Sequence, residues 1–154
     1  MDIKELYQEI VLDHGKNPRN KNKCKDFNKD AKGHNPLCGD KVHVFLKLDE
    51  ENKVEDISFE GEGCAISMAS ASIMTEIIKG KEFNVAKKIL EQFLKMLKEG
   101  SKMTINSLSE DENTTMMSLS GVKRFPMRVK CATLAWHTFL NAAEEKNETA
   151  NTEK

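Results

Sequence analysis

A pair of short alternating runs joined by a polar turn constrains this fold most. Val42, Val44, Leu46 and Leu48 alternate with His43, Phe45 and Lys47, the period of a half-buried strand. Asp49-Glu50-Glu51-Asn52-Lys53 supplies a turn, and Val54-Glu55-Asp56-Ile57-Ser58-Phe59 a second strand, antiparallel by proximity. Around this hairpin the apolar spacing is helical. Ile3, Leu6, Tyr7, Ile10 and Val11 form one stripe over residues 2–14, stopped by Pro18. Residues 67–79, rich in Ala and Ser and followed by Gly80, predict a second helix whose small side chains allow close packing on a sheet. Ala86, Ile89, Leu90, Phe93, Leu94 and Leu97 mark a third. Val129, Leu134, Trp136, Phe139 and Leu140 mark a last one beyond Phe125-Pro126. Residues 20–37 read as mostly loop with one weak strand, and residues 101–120, without clear period, as a long connection. The expected fold class is α+β: a small antiparallel β-sheet with helices packed on one face. One domain is expected over 1–142, followed by a polar, disordered tail over 143–154.

Charge and composition narrow the function. The 24 Lys+Arg against 25 Asp+Glu leave a net charge of −1, which argues against general nucleic-acid affinity. Only 6% of residues are aromatic, too few for a base-stacking surface. No apolar run nears the ~18 residues of a membrane span. Met1-Asp2-Ile3-Lys4-Glu5 lacks the order of a secretory signal. The expected location is cytoplasmic. There the four cysteines, Cys24, Cys38, Cys64 and Cys131, would stay reduced and serve metal or thiol chemistry rather than disulfides.

Three of these cysteines fall at the ends of predicted elements. Cys38 lies in Asn35-Pro36-Leu37-Cys38-Gly39-Asp40, before the first strong strand. Cys64 follows Gly61-Glu62-Gly63, between a strand and a helix, and Cys131 lies near the start of the last helix. Helix N-termini favour a thiolate at the latter two. A lone cysteine is most simply a small buried hydrophobe, but core packing does not need the glycines beside Cys38 and Cys64. Asp40 can be a turn former or a fourth ligand, completing a tetrahedral Zn²⁺ site with three thiolates. Such a set carries four negative charges against two on the ion, so a cation nearby is expected. Arg128, three residues before Cys131, is the best placed among Lys41, Arg124, Arg128 and Lys130. His14, His34, His43 and His137 are the alternative ligands; His43 and His137 read as packing or surface residues, and His34 stays open by its closeness to Cys38. Cys24, in Lys21-Asn22-Lys23-Cys24-Lys25, reads as an exposed, incidental reactive thiol.

These residues resemble a known family. Asn35-Pro36-x-Cys38-Gly39-Asp40, then Gly61-x-Gly63-Cys64-Ala65-Ile66-Ser67-x-Ala69-Ser70-Ala71-Ser72, then Arg128-x-Lys130-Cys131-Ala132-Thr133-Leu134-x-Trp136 look like the SufU branch of the IscU/NifU N-terminal family. Leu6-Tyr7, Asp13-His14 and Asn17-Pro18-Arg19-Asn20 are similar as well. The resemblance implies iron–sulfur cluster assembly on an α+β fold. It implies Zn²⁺ on Cys38, Asp40, Cys64 and Cys131, with Cys38 accepting persulfide sulfur from a SufS-type cysteine desulfurase; the charge reading adds Arg128 as the residue that would steady the released thiolate. Other Suf components would be further partners; nucleic acid and membranes would not. IscU-like members have a His before the third Cys, where this chain has Lys130, and a Leu-Pro-Pro-Val-Lys motif that this chain lacks. The connection 101–120 resembles the SufU insertion. Two other readings stay open: a scaffold that assembles a transient [2Fe–2S] cluster or holds iron on the same ligands, and a structural zinc module that docks a partner.

Overall fold

The computed structural model describes residues 2–100, 104–144 and 150–151. Helix α1 (Ile3–Lys16) starts at Asp2, whose carboxylate accepts the Glu5 N–H at 2.8 Å. Strands β1 (Lys29–Asn35), β2 (Asp40–Leu48) and β3 (Val54–Glu62) form an antiparallel meander. Four helices follow: α2 (Ala65–Ile78), α3 (Phe83–Glu99), α4 (Glu110–Leu119) and α5 (Pro126–Ala143), with a 3₁₀ turn (Ser120–Arg124) before α5. The sheet order is β3-β2-β1-β4, where β4 (Ala150–Asn151) pairs in parallel with Gly33 and His34 of β1. Two residues of the tail expected to be unstructured thus extend the sheet; 145–149 and 152–154 lie outside the described residues. Among the described residues, no helix is long and apolar enough to cross a membrane.

The antiparallel sheet with helices against it is the expected architecture, and three segments differ from their sequence reading. Residues 29–35 form a full strand rather than loop, because every position pairs across to β2, from Lys29 opposite Leu46 to Asn35 opposite Asp40. Its Lys, Asp, Gly, His and Asn residues lack strand propensity, and the register with β2 overrides that. The connection 101–120 contains α4, opened by a capping box in which Ser109 and Glu112 each accept the other's backbone N–H. Only Met116, Ser118 and Leu119 of this helix are buried, so it carries no apolar stripe to read. Helix α2 begins at Ala65, two residues early, with Cys64 as its cap.

The core lies between the sheet and helices α2 and α5. Val42, Val44, Leu46, Ile57 and Phe59 face Trp136, Phe139, Ile73 and Met74. Two polar knots fix the helices within this apolar layer. Trp136 donates its indole N–H to the Ser70 hydroxyl at 3.0 Å, and Ser70 donates to the Ala132 carbonyl at 2.6 Å, joining α2 to α5. On the other side of α2, the Ser72 hydroxyl accepts the Arg19 N–H and meets His14 Nδ1, both at 2.8 Å. Burial, with help from Arg19, lowers the His14 pKa, while Glu76 and Asp13 pull the other way. The ring is therefore neutral, and with Nε2 facing Glu76 at 3.8 Å, Nδ1 accepts the Ser72 proton. Protonation would reverse that bond, with Nδ1–H donating to Ser72 Oγ.

Helix α5 also comes very close to β1. A Cβ on Gly33 would overlap Thr138 Oγ1 and press Leu134 and Val42 at 3.0 and 3.1 Å. Gly33→Ala should cost roughly 1–3 kcal/mol by overpacking. Thr138→Ala in the same chain should recover part of that loss, as a double-mutant cycle by urea denaturation would record. His14 gives a second expectation. Its folded pKa lies below the unfolded value of about 6.5, so the unfolded chain binds more protons and stability falls as pH drops through that value toward the folded one. His14→Gln should flatten this slope between about pH 7 and 5, measured as ΔG against pH.

Candidate metal centre

The β1–β2 hairpin places the first two groups. Asn35 ends β1, and its carbonyl accepts the Gly39 N–H at 2.9 Å while its side-chain oxygen accepts the Leu37 N–H at 3.3 Å. Gly39 sits at φ +73°, a left-handed conformation that glycine adopts without strain. The turn leaves Cys38 exposed at its tip and Asp40 completely buried at the first position of β2. Asp40 Oδ1 accepts the Cys64 backbone N–H at 2.8 Å. That approach requires glycine at 63, because a Cβ there would overlap Asp40 Oδ1.

Cys64 caps α2, its Sγ accepting the Ser67 N–H at 3.4 Å and lying 3.8 Å from Asp40 Oδ2. Cys131 is not at a helix N-terminus as its position in the sequence suggested. It lies in the second turn of α5, which begins at Pro126, and is buried. Its Sγ is 3.6 Å from Cys38 Sγ. The Asn35 amide sits between Asp40 Oδ2, at 3.5 Å, and Cys131 Sγ, at 3.6 Å. Cys38, Asp40 and Cys131 each offer one ligand atom within 4.8 Å of the others, and Cys64 borders them through Asp40. All four cysteines are free thiols. Among the described residues, no histidine joins the group.

The donor set fits a small divalent cation. Tetrahedral arms of about 2.3 Å to sulfur and 2.0 Å to oxygen imply edges of about 3.8 Å between sulfurs and 3.5 Å between sulfur and oxygen. The recorded edges are 3.6 and 3.8 Å. Burial pushes the Cys131 thiol far above its ordinary pKa, and Asp40 and the neighbouring thiols add to this. Burial of that kind holds the proton on the Cys131 thiol, and a bound cation inverts the preference.

The remaining candidates fall around this group. Arg128 is exposed, its guanidinium 4.3 Å above the Phe125 ring, and it lines one cavity together with Tyr7. Tyr7 is nearly buried; burial raises its pKa, Arg128 opposes this, and the nearby Cys64 and Cys131 add to it. Tyr7 stands with Arg128 at the wall of one cavity, a position that helical periodicity hides by making Tyr7 look like plain core. The sequence likewise gave no role to the Asn35 amide. Lys41 and Arg124 are exposed, and His43 bonds Asp30 at 2.6 Å on the outer face of the sheet. Cys24 is buried rather than exposed: its N–H donates to Ser58 Oγ at 2.9 Å, so the lysines around it mark the loop's surface and not the thiol's surroundings.

Known proteins share this sequence and fold. The chain is 43% identical over 135 residues to the zinc-dependent sulfurtransferase SufU of Bacillus subtilis, covering 88% of this chain and 87% of that one. It is 35% identical to the iron–sulfur cluster assembly scaffold protein IscU of Thermotoga maritima, covering 94% and 97%. The solved structure of FiSufU from Fervidobacterium islandicum superposes with a TM-score of 0.79 at 34% identity, over 90% of this chain and 97% of that one. The NifU-like N terminal domain pattern matches residues 6–132. That span holds the hairpin, the α2 cap and the buried cysteine of α5, and it makes this chain a member of the NifU-like N-terminal domain family.

Proposed function

We propose that this protein is a zinc-bound sulfur acceptor of iron–sulfur cluster assembly, taking sulfur from a SufS-type cysteine desulfurase through Cys38. One observation carries the reading: of three thiols that converge on a buried carboxylate, only Cys38 is exposed. The zinc-dependent sulfurtransferase SufU among its relatives supports the metal. Cys38, Asp40, Cys64 and Cys131 would hold Zn²⁺, which supplies charge compensation without redox chemistry.

The transfer itself is thiol–disulfide exchange. The Cys38 thiolate attacks the outer sulfur of the donor's persulfide. A new S–S bond forms at Cys38, the donor's S–S bond breaks, and its electron pair leaves with the donor cysteine as a thiolate. No net oxidation occurs. Asp40, pinned by the Cys64 N–H, and Cys131, set in α5, keep the site shaped while Cys38 reacts. Arg128 supplies positive charge one helical turn from Cys131, where it can steady the thiolates. A second reading, a scaffold for a [2Fe–2S] cluster on the same groups, is favoured by the relatives named as IscU scaffolds.

Metal content separates the two. Protein purified without added metal should hold about one zinc per chain, while iron with acid-labile sulfide would favour the scaffold. Chelation should lower the melting temperature, because the metal ties the hairpin to α2 and α5. Cys38→Ala should abolish sulfur acceptance, seen as loss of the one-sulfur mass increase after incubation with desulfurase and cysteine. Full stimulation of the desulfurase by that variant would remove Cys38 from the reaction.

A further inference from the structure

Next to the thiol group, and sharing Tyr7 and Arg128 with its surroundings, lies a cavity of about 370 Å³. Four cations line it, Lys4, Lys123, Arg124 and Arg128, and no carboxylate does. The chain as a whole carries a net charge of −1, so composition does not account for this concentration. None of the ion pairs among the described residues involves these four side chains. Lys123 donates to the Gly100 carbonyl at 3.1 Å, and Arg128 rests on the Phe125 ring. A concave site lined by one sign of charge concentrates field on whatever enters it.

An apolar rim adjoins this basic cup. Among the described residues four large hydrophobics are exposed, and three of them lie on the segments that carry Cys38 and Cys131: Leu37 next to Cys38, at 53%, and Phe125 and Met127 at the start of α5, at 44% and 50%, with Phe125 also lining the cavity. An apolar centre with charged groups beside it is the anatomy of a protein interface. A sulfur donor must cover this face to reach Cys38.

We propose that the cavity seats an acidic segment of the protein that donates sulfur to Cys38, while Leu37, Phe125 and Met127 pack against its apolar surface. The proposal rests on Cys38 being the sulfur acceptor. It assigns Lys4 and Arg124, which lie outside the thiol group, to partner recognition through charge.

The test is the apparent KM for the zinc-loaded, full-length protein in a desulfurase assay across a salt series. Wild-type KM should rise steeply with salt, since opposed charges at an interface act mainly on encounter. The double variant Lys4→Glu/Arg124→Glu should raise KM about tenfold at low salt, flatten the salt slope and leave kcat unchanged. Lys4→Arg/Arg124→Lys should restore the wild-type KM. A wild-type KM insensitive to salt overturns the proposal without any variant. So does a double variant that melts like wild type yet keeps its KM and slope, or one that loses kcat alone. Stabilisation of wild type by inorganic pyrophosphate, lost in the double variant without a change in KM, would reassign the cavity to a small anion and overturn it too. If wild type gains no sulfur on Cys38, the acceptor reading itself fails, and mass spectrometry distinguishes that result from all the others.

Discussion

Asp40 is fully buried, and its Oδ1 accepts the backbone N–H of Cys64 at 2.8 Å. A carboxylate in that position would be costly if left unpaired. Here it meets the N-terminus of α2, where the helix dipole and an unsatisfied N–H both favour negative charge. A hydrogen bond to a charged group of this kind contributes about 1.5–3 kcal/mol. It also welds the β1–β2 hairpin to the β3–α2 junction, two segments more than twenty residues apart in the chain. Gly63 exists at this weld because no side chain fits between it and Asp40. With that contact in place, Cys64 Sγ and Asp40 Oδ2 stand 3.8 Å apart, and half of the donor set is fixed before any ion arrives.

The other half depends on where α5 lies. Its register is set far from the thiols, by Thr138 against Gly33 and by Trp136 donating to Ser70. Ser70 in turn donates to Ala132, the residue after Cys131. The apolar core and the geometry of the thiol–carboxylate group are therefore not separate features. A helix held by its indole and by a glycine-wide gap on β1 delivers a sulfur to within 3.6 Å of the hairpin tip. Displacing α5 to admit a methyl group at 33 would displace Cys131 with it.

Much of this was readable from residue spacing and turn chemistry. The alternation over 42–48 and 54–59 placed β2 and β3, and the amphipathic runs placed α1 and α3, because each of these elements buries one face and exposes the other. The glycine at 39 marked a sharp turn and the glycine at 63 a close backbone approach. Reading failed where partners, not periodicity, decide structure. Strand β1 has a polar sequence and exists through its register with β2. Helix α4 is opened by the Ser109–Glu112 capping box but buries little, so no apolar stripe marks it in the sequence. Lysines around Cys24 suggested an exposed thiol, while the loop tucks it against Ser58. The roles of Asn35 and Tyr7 are three-dimensional: each side chain matters for what it touches across the fold, and neither contact leaves a mark in spacing.

The three converging thiols are chemically alike and differ in what surrounds them. Cys131 is enclosed by a helix packed on the sheet, so moving its sulfur means moving core. Cys64 is committed as the cap of α2, where its Sγ satisfies the Ser67 N–H. Cys38 has neither restraint. It sits on a four-residue turn, beside a glycine with open space around it and a leucine facing solvent. In the proposed function, a group that completes a site and also reacts with an incoming sulfur has to change partners without disturbing the fold. The hairpin tip meets that condition, and the helix positions do not. The division into two anchored thiols, one anchored carboxylate and one accessible thiol thus follows from which element carries each residue, not from the residues' intrinsic chemistry.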